Sequence, residues 1–129
     1  MSIRHIPRAE WKEFFDSFSR EHRGWLVTTQ VSDASGVSEV EARELPLAGI
    51  TAETTDPGEP TIEVMLRAPH QAHLTHTIRN PFSVRLFETE EHAHAALSIE
   101  SLDGSINTVS FRSAVPSELV DGFMAPDPH

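Results

Sequence analysis

Three histidines and an arginine, His70, His73, His76 and Arg79, fall within ten residues of one another. Imidazole can ligate a metal or move a proton, and guanidinium can grip an anion. The spacing argues against a ready-made metal centre. On a strand His73 and His76 would face opposite sides, and on a helix the three rings would drift by roughly 120° between His70 and His76. Zinc sites use a tighter paired spacing, so histidines of a loop are the simpler account, with His73 and His76 the pair a metal would take. A second group, His92 and His94 with Glu88, Glu90 and Glu91, would put two imidazoles on one face of a strand. Glu-rich segments between strands are ordinarily solvated loops.

Nucleophilic chemistry has a single local candidate, Ser19 one helical turn from His22. No G-x-S-x-G elbow accompanies it, and a serine within a helix more often bonds to backbone. The chain contains no cysteine, which removes thiolate nucleophiles, thiolate metal sites and a disulfide framework. No phosphate-binding loop or cofactor motif is present, and no cofactor is expected. Arg43, Arg67, Arg79, Arg85 and Arg112 sit in or beside predicted strands, where a shared polar face would suit a carboxylate or phosphate. In so acidic a chain each could equally neutralise a neighbouring glutamate. Phe87, alternating with Val84 and Leu86, is expected either on the outer face beside Arg85, where the two would form a binding edge, or packed under the helix.

These residues must be positioned by a chain of 129 residues, about the size of one domain. The formal charge is -10 with histidine neutral, and the acidic residues are spread along the sequence. A phosphate backbone would be repelled over most of the surface, so nucleic acid is not an expected partner. No apolar run approaches the ~20 residues of a membrane helix and no signal peptide opens the chain, so a soluble cytoplasmic protein is the expectation. Eight histidines make the net charge sensitive to pH between about 5 and 7.

From about residue 8 to 22 the apolar residues follow helical spacing. Trp11, Phe14, Phe15, Phe18 and His22 form one face, opposite Lys12, Glu13, Asp16, Ser17 and Arg20. Pro7 suits the first turn, and Glu10 and Glu13 favour the positive end of the helix dipole. Gly24 and Trp25 stop the helix. From Trp25 the period becomes two, as in strands. Trp25 to Val31, Ser38 to Leu45 with Val40 and Ala42 inward, and Thr61 to Arg67 are predicted strands. Pro46 reads as a bend or edge, and the turn-rich segment from Thr54 to Pro60 as a loop. A short element follows around His73 to Ile78, then a strand with Phe82, Val84 and Leu86 on one face. Ala95 to Glu100 and Ser105 to Arg112 flank Asp103 and Gly104, the signature of a type I′ hairpin. The tail 114–129 shows a short helical turn at Glu118 to Val120 before Pro126 and Pro128.

The run of Ile6-Pro7, Glu10-Trp11, Phe14-Phe15-Asp16, Phe18-Ser19-Arg20, His22 and Gly24-Trp25 resembles a family of short bacterial proteins known only as a domain of unknown function. The likeness continues through Leu45-Pro46-Leu47, His76 to Pro81, Val84-Arg85-Leu86, Asp103-Gly104 and Phe111 to Pro116. It implies one compact bacterial domain and carries over no catalytic residue.

The expected architecture is α+β. An N-terminal amphipathic helix, about 8–22, packs on a curved, mostly antiparallel sheet of six or seven strands, or a small open barrel, within 25–113. Residues 1–129 form a single domain. The leading functional expectation is a non-enzymatic binding or regulatory module. It would meet an unknown protein or a small acidic ligand through sheet edge and loops, at Arg79, Arg85 and Phe87, and a homodimer is compatible with it. The alternative is a small metal-binding protein or enzyme using His73, His76 and Arg79.

Overall fold

The computed structural model describes residues 2–53, 59–68, 73–89 and 94–112. Eight strands form one antiparallel sheet: β1 (Ser2–His5), β2 (Leu26–Ser32), β3 (Ser38–Glu53), β4 (Thr61–Leu66), β5 (Leu74–Arg79), β6 (Pro81–Glu88), β7 (His94–Ser101) and β8 (Ile106–Arg112). Their order is β1-β6-β7-β8-β2-β3-β4-β5, so β1 and β5 are the two edges and the sheet does not close. The helix α1 (Trp11–His22) follows a 3₁₀ turn at Arg8–Glu10. The expected six or seven strands are therefore eight. The additional one is β1, whose four side chains are all exposed. It carries no apolar alternation to betray it and is held by pairing with β6, from Ser2 opposite Glu88 to His5 opposite Arg85.

The sheet curls because β3 is long and bent. Its first half pairs with β2 and its second with β4. At the bend Glu44 takes a positive φ of 53°, beside a register shift between Val27 and Thr29 of β2, and its amide donates to Thr28 Oγ1. A bulge of this kind adds twist and turns the strand. Pro46 lies inside β3, opposite Leu26, so the expected interruption is a bend within a continuous strand. Curling brings Val84, Leu86, Leu97, Ile99 and Val109 of one half into the same core as Ile50, Ile62, Val64, Leu66 and Ile78 of the other.

Helix α1 lies on β3 and buries Trp11, Phe15 and Phe18, each contributing ~1.5 to 3 kcal/mol of burial. Phe14 is half-buried against the same core. The Trp11 indole donates to the Ile6 carbonyl at 2.9 Å, which ties the 3₁₀ entry to the core. Gly24, at φ 88°, ends the helix and donates to the Leu47 carbonyl.

Two side chains and one turn depart from expectation. Val40 is 41% exposed, because the outer part of the β2–β3 hairpin extends beyond the core after a second register shift between Thr29 and Gln30. Phe82 is 49% exposed, because the register slips between Pro81 and Ser83 and takes it out of phase with Val84 and Leu86. The Asp103-Gly104 turn is not type I′: only Gly104 has positive φ, at 91°. Gly104 N donates to Ser101 O, and Ser101 N to Ser105 O, the pattern of a three-residue loop with a glycine bulge. The turn at Asp33 to Gly36 repeats the device, with Gly36 at φ 95° donating to Asp33 O. The expected helical turn at Glu118 to Val120 and most of the Thr54 to Pro60 loop lie outside the described residues.

Candidate functional site

A cleft of about 210 Å³ runs along β5, walled by His76 to Arg79 on one side and by Val31, Ser101, Asp103, Ser105 and Asn107 on the other. Its volume corresponds to roughly seven waters, room for a carboxylate group with its first carbons. Alternation along β5 explains its polarity. Ile78 is buried in the core, so His76, two residues before it, also faces inward, while Thr75, Thr77 and Arg79 are exposed. His76 is half-buried, and its Nε2–H donates to Asn107 Oδ1 at 2.6 Å. β5 and β8 are separated in the sheet by three strands, so this bond crosses the interior and fixes both the ring and the curl.

The opposite wall is the β7–β8 hairpin. Asp103 Oδ1 accepts from Ser105 N at 2.9 Å and Ser105 Oγ at 2.7 Å, and these bonds hold its carboxyl below the usual aspartate range. Asp33 is lowered in the same way by Ser35 and Val37 in the neighbouring turn. Leu102 N donates to Asn80 O at 3.1 Å and joins the hairpin to the end of β5. Ser101 is 2% exposed, and its Oγ has no hydrogen-bond partner among the described residues. An unmet buried hydroxyl costs ~1 to 3 kcal/mol and is exceptional in a folded protein. Arg79, on the facing wall, makes no ion pair among the described residues.

The other residues singled out from the sequence are dispersed. His73 is exposed and precedes β5. His70 and His92 lie outside the described residues. No group of three or more His, Asp or Glu among the described residues is placed to hold a metal ion. Arg112 pairs with Glu44 at the end of β8 away from the cleft, a surface pairing rather than a shared arginine face. Arg85 and Phe87 lie on β6, alternating with buried Val84 and Leu86, and both are half-buried. The Arg85 Nε is buried without a partner among the described residues. Phe87 stands opposite Ile3 and Ala96.

Ser19 and His22 serve structure. Ser19 Oγ accepts from Ile50 N at 2.8 Å and donates to Ile50 O at 3.0 Å, so its donor and an acceptor site are committed to backbone. His22 is buried, donates from Nδ1 to Phe18 O at 2.9 Å, and stacks on the Phe18 ring at 3.9 Å between centroids. Sequence reasoning named His76 and Arg79 but missed Ser101 and Asn107. Both are short polar residues in apolar strands, and that placement was the one available signal.

The chain belongs to DUF5335, a family of unknown function whose model matches residues 2–120. It is 24% identical over 116 residues to an uncharacterized protein of Aquifex aeolicus (strain VF5), covering 90% of this chain and 97% of that protein. No solved structure matches the chain. No helix among the described residues is long and apolar enough to cross a membrane.

Proposed function

We propose that this protein is a non-enzymatic binding module of the cytoplasm whose cleft along β5 holds the acidic group of a ligand. The observation that carries this reading is the pairing, in one cleft, of Arg79 and the buried Ser101 hydroxyl, the first without an acidic partner and the second without any partner among the described residues. The chain has 20 acidic residues against 10 basic ones, so an arginine left without a carboxylate beside a cavity is available to an incoming anion. Guanidinium forks match carboxylate and phosphate oxygens, and a hydroxyl donor adds a second anchor. His76, oriented by Asn107, supplies a further polar contact at the inner end. Asp103 is on the opposite wall with Ser101, with one oxygen occupied by Ser105, so it limits the charge the cleft accepts and favours a carboxylate over a more highly charged phosphate.

Calorimetric titration with succinate and with inorganic phosphate tests the reading. Succinate is expected to bind, phosphate less tightly, and Arg79→Gln is expected to weaken succinate by about tenfold, equivalent to ~1.4 kcal/mol. Absence of heat from both anions, or succinate binding indifferent to Arg79→Gln, would overturn it.

A further inference from the structure

The cleft is bounded by a free strand edge as well as by side chains. Asn80 N donates to Pro60 O at 3.0 Å, and Arg79 stands opposite Thr61 in an unshifted register. In an antiparallel pair the residues alternate between those that exchange hydrogen bonds with the neighbour and those that do not. Ile78, His76 and Leu74 therefore bond to β4, and the backbone N–H and C=O groups of Arg79, Thr77 and Thr75 point to the open side. β6 cannot cover them, because it is paired with β1 and β7. No loop or side-chain hydrogen bond among the described residues reaches these groups. The hairpin tip makes one bond at the end of this edge, from Leu102 N to Asn80 O.

We propose that this edge is a strand-addition site, at which an extended acidic segment of a partner protein pairs its main chain with Thr75, Thr77 and Arg79. The proposal rests on the acidic-ligand reading above and names the ligand as a peptide. Charge selects the occupant. Residues 64–87 contain no Asp or Glu but carry Arg67, Arg79 and Arg85 together with His70, His73 and His76, in a chain whose net charge is -10. β5 lies within this run. An acidic strand laid beside β5 would place alternate side chains next to Arg79 and next to His76, and an acidic side chain would reach the buried Ser101 hydroxyl. Main-chain pairing supplies affinity in such complexes and alternate side chains supply choice. The opposite edge, β1, is a poorer host. Ile6 N donates to Val84 O, so only Ile3 and His5 turn their backbone outward there, and the groove between β1 and α1 has Glu21 in its lining as well as Arg4.

The test uses a capped octapeptide of alternating Thr and Glu, the same peptide with every second amide N-methylated, and succinate, each titrated into the full chain. N-methylation removes main-chain donors and leaves the charge intact. The expected result is that the octapeptide binds at least tenfold more tightly than one of its two N-methylated registers, and slows hydrogen exchange at the Thr75 and Thr77 amides. Binding insensitive to N-methylation in both registers, or binding of succinate alone, would overturn strand addition and leave the acidic-ligand reading standing. Failure of all three ligands would overturn both. An octapeptide that protects Ile3 and His5 instead would move the site to β1 and overturn the assignment to β5. Thr77→Pro, which removes a donor from the free side only, is expected to abolish octapeptide binding while succinate still binds. Unchanged octapeptide affinity in a folded Thr77→Pro variant counts against the proposal.

Discussion

Ser19 on the helix and Ser101 at the β7–β8 hairpin are both wholly or partly withdrawn from solvent, and they differ in what meets them. Ser19 satisfies both backbone groups of Ile50 and pins α1 to β3. The Ser101 Oγ has no hydrogen-bond partner among the described residues. The same contrast runs through their surroundings. At the helix end Trp11 and His22 each find a backbone carbonyl, and the aromatic face is sealed. At the cleft end a hydroxyl, an arginine and a strand edge stand without partners among the described residues. Unmet polar groups cost stability where they sit: of the two buried side-chain atoms without a hydrogen-bond partner among the described residues, the Arg85 Nε lies on β6 and the Ser101 Oγ belongs to the residue that lines the cleft beside Arg79 and the β5 edge.

The largest expected effect is at the sealed end. Phe15→Ala, at a residue with no exposed surface, is expected to lower stability by ~3 to 5 kcal/mol in urea denaturation. A loss below ~1 kcal/mol would mean that the helix is not seated and would dissolve the comparison. Next comes Ser19→Ala, which strands the Ile50 N–H and C=O and is expected to cost ~1 to 3 kcal/mol.

Gly104→Ala should cost ~1 to 2 kcal/mol in thermal unfolding, from left-handed backbone alone. The new Cβ would also lie 2.9 Å from the Ala34 Cβ of the adjoining turn, so the two hairpin tips would have to part. The smallest effect sharpens the comparison most. Ser101→Ala is expected to change stability by no more than ~0.5 kcal/mol, or to raise it, because no hydrogen bond is lost. A cost equal to that of Ser19→Ala, by the same denaturation measurement, would show that Ser101 has a partner and that the two ends are alike.

The helix and most strands were legible because their apolar residues keep a strict period. Trp11, Phe15 and Phe18 declare a buried helical face, and Ile62, Val64 and Leu66 a half-buried strand. Where the register slips, the period misleads, as Phe82 and Val40 show. β1 was invisible because its pairing is entirely main chain. Of the site, His76 and Arg79 could be named from residue type and neighbourhood. Ser101 and Asn107 could not be joined to them, since the bond from His76 to Asn107 spans 31 positions of sequence.

Local chemistry, written residue by residue, determined the amphipathic helix, the alternation of the strands, the glycine-dependent turns and the absence of thiol chemistry. Those properties depend on neighbours within a few positions. Tertiary structure decided which polar groups would be satisfied. The bend of β3 at Glu44 curls the sheet, brings β5 within reach of β8, and leaves β5 with no strand on its outer side among the described residues. Satisfaction of a hydrogen bond depends on the distance between groups far apart in the chain, and only folding sets that distance.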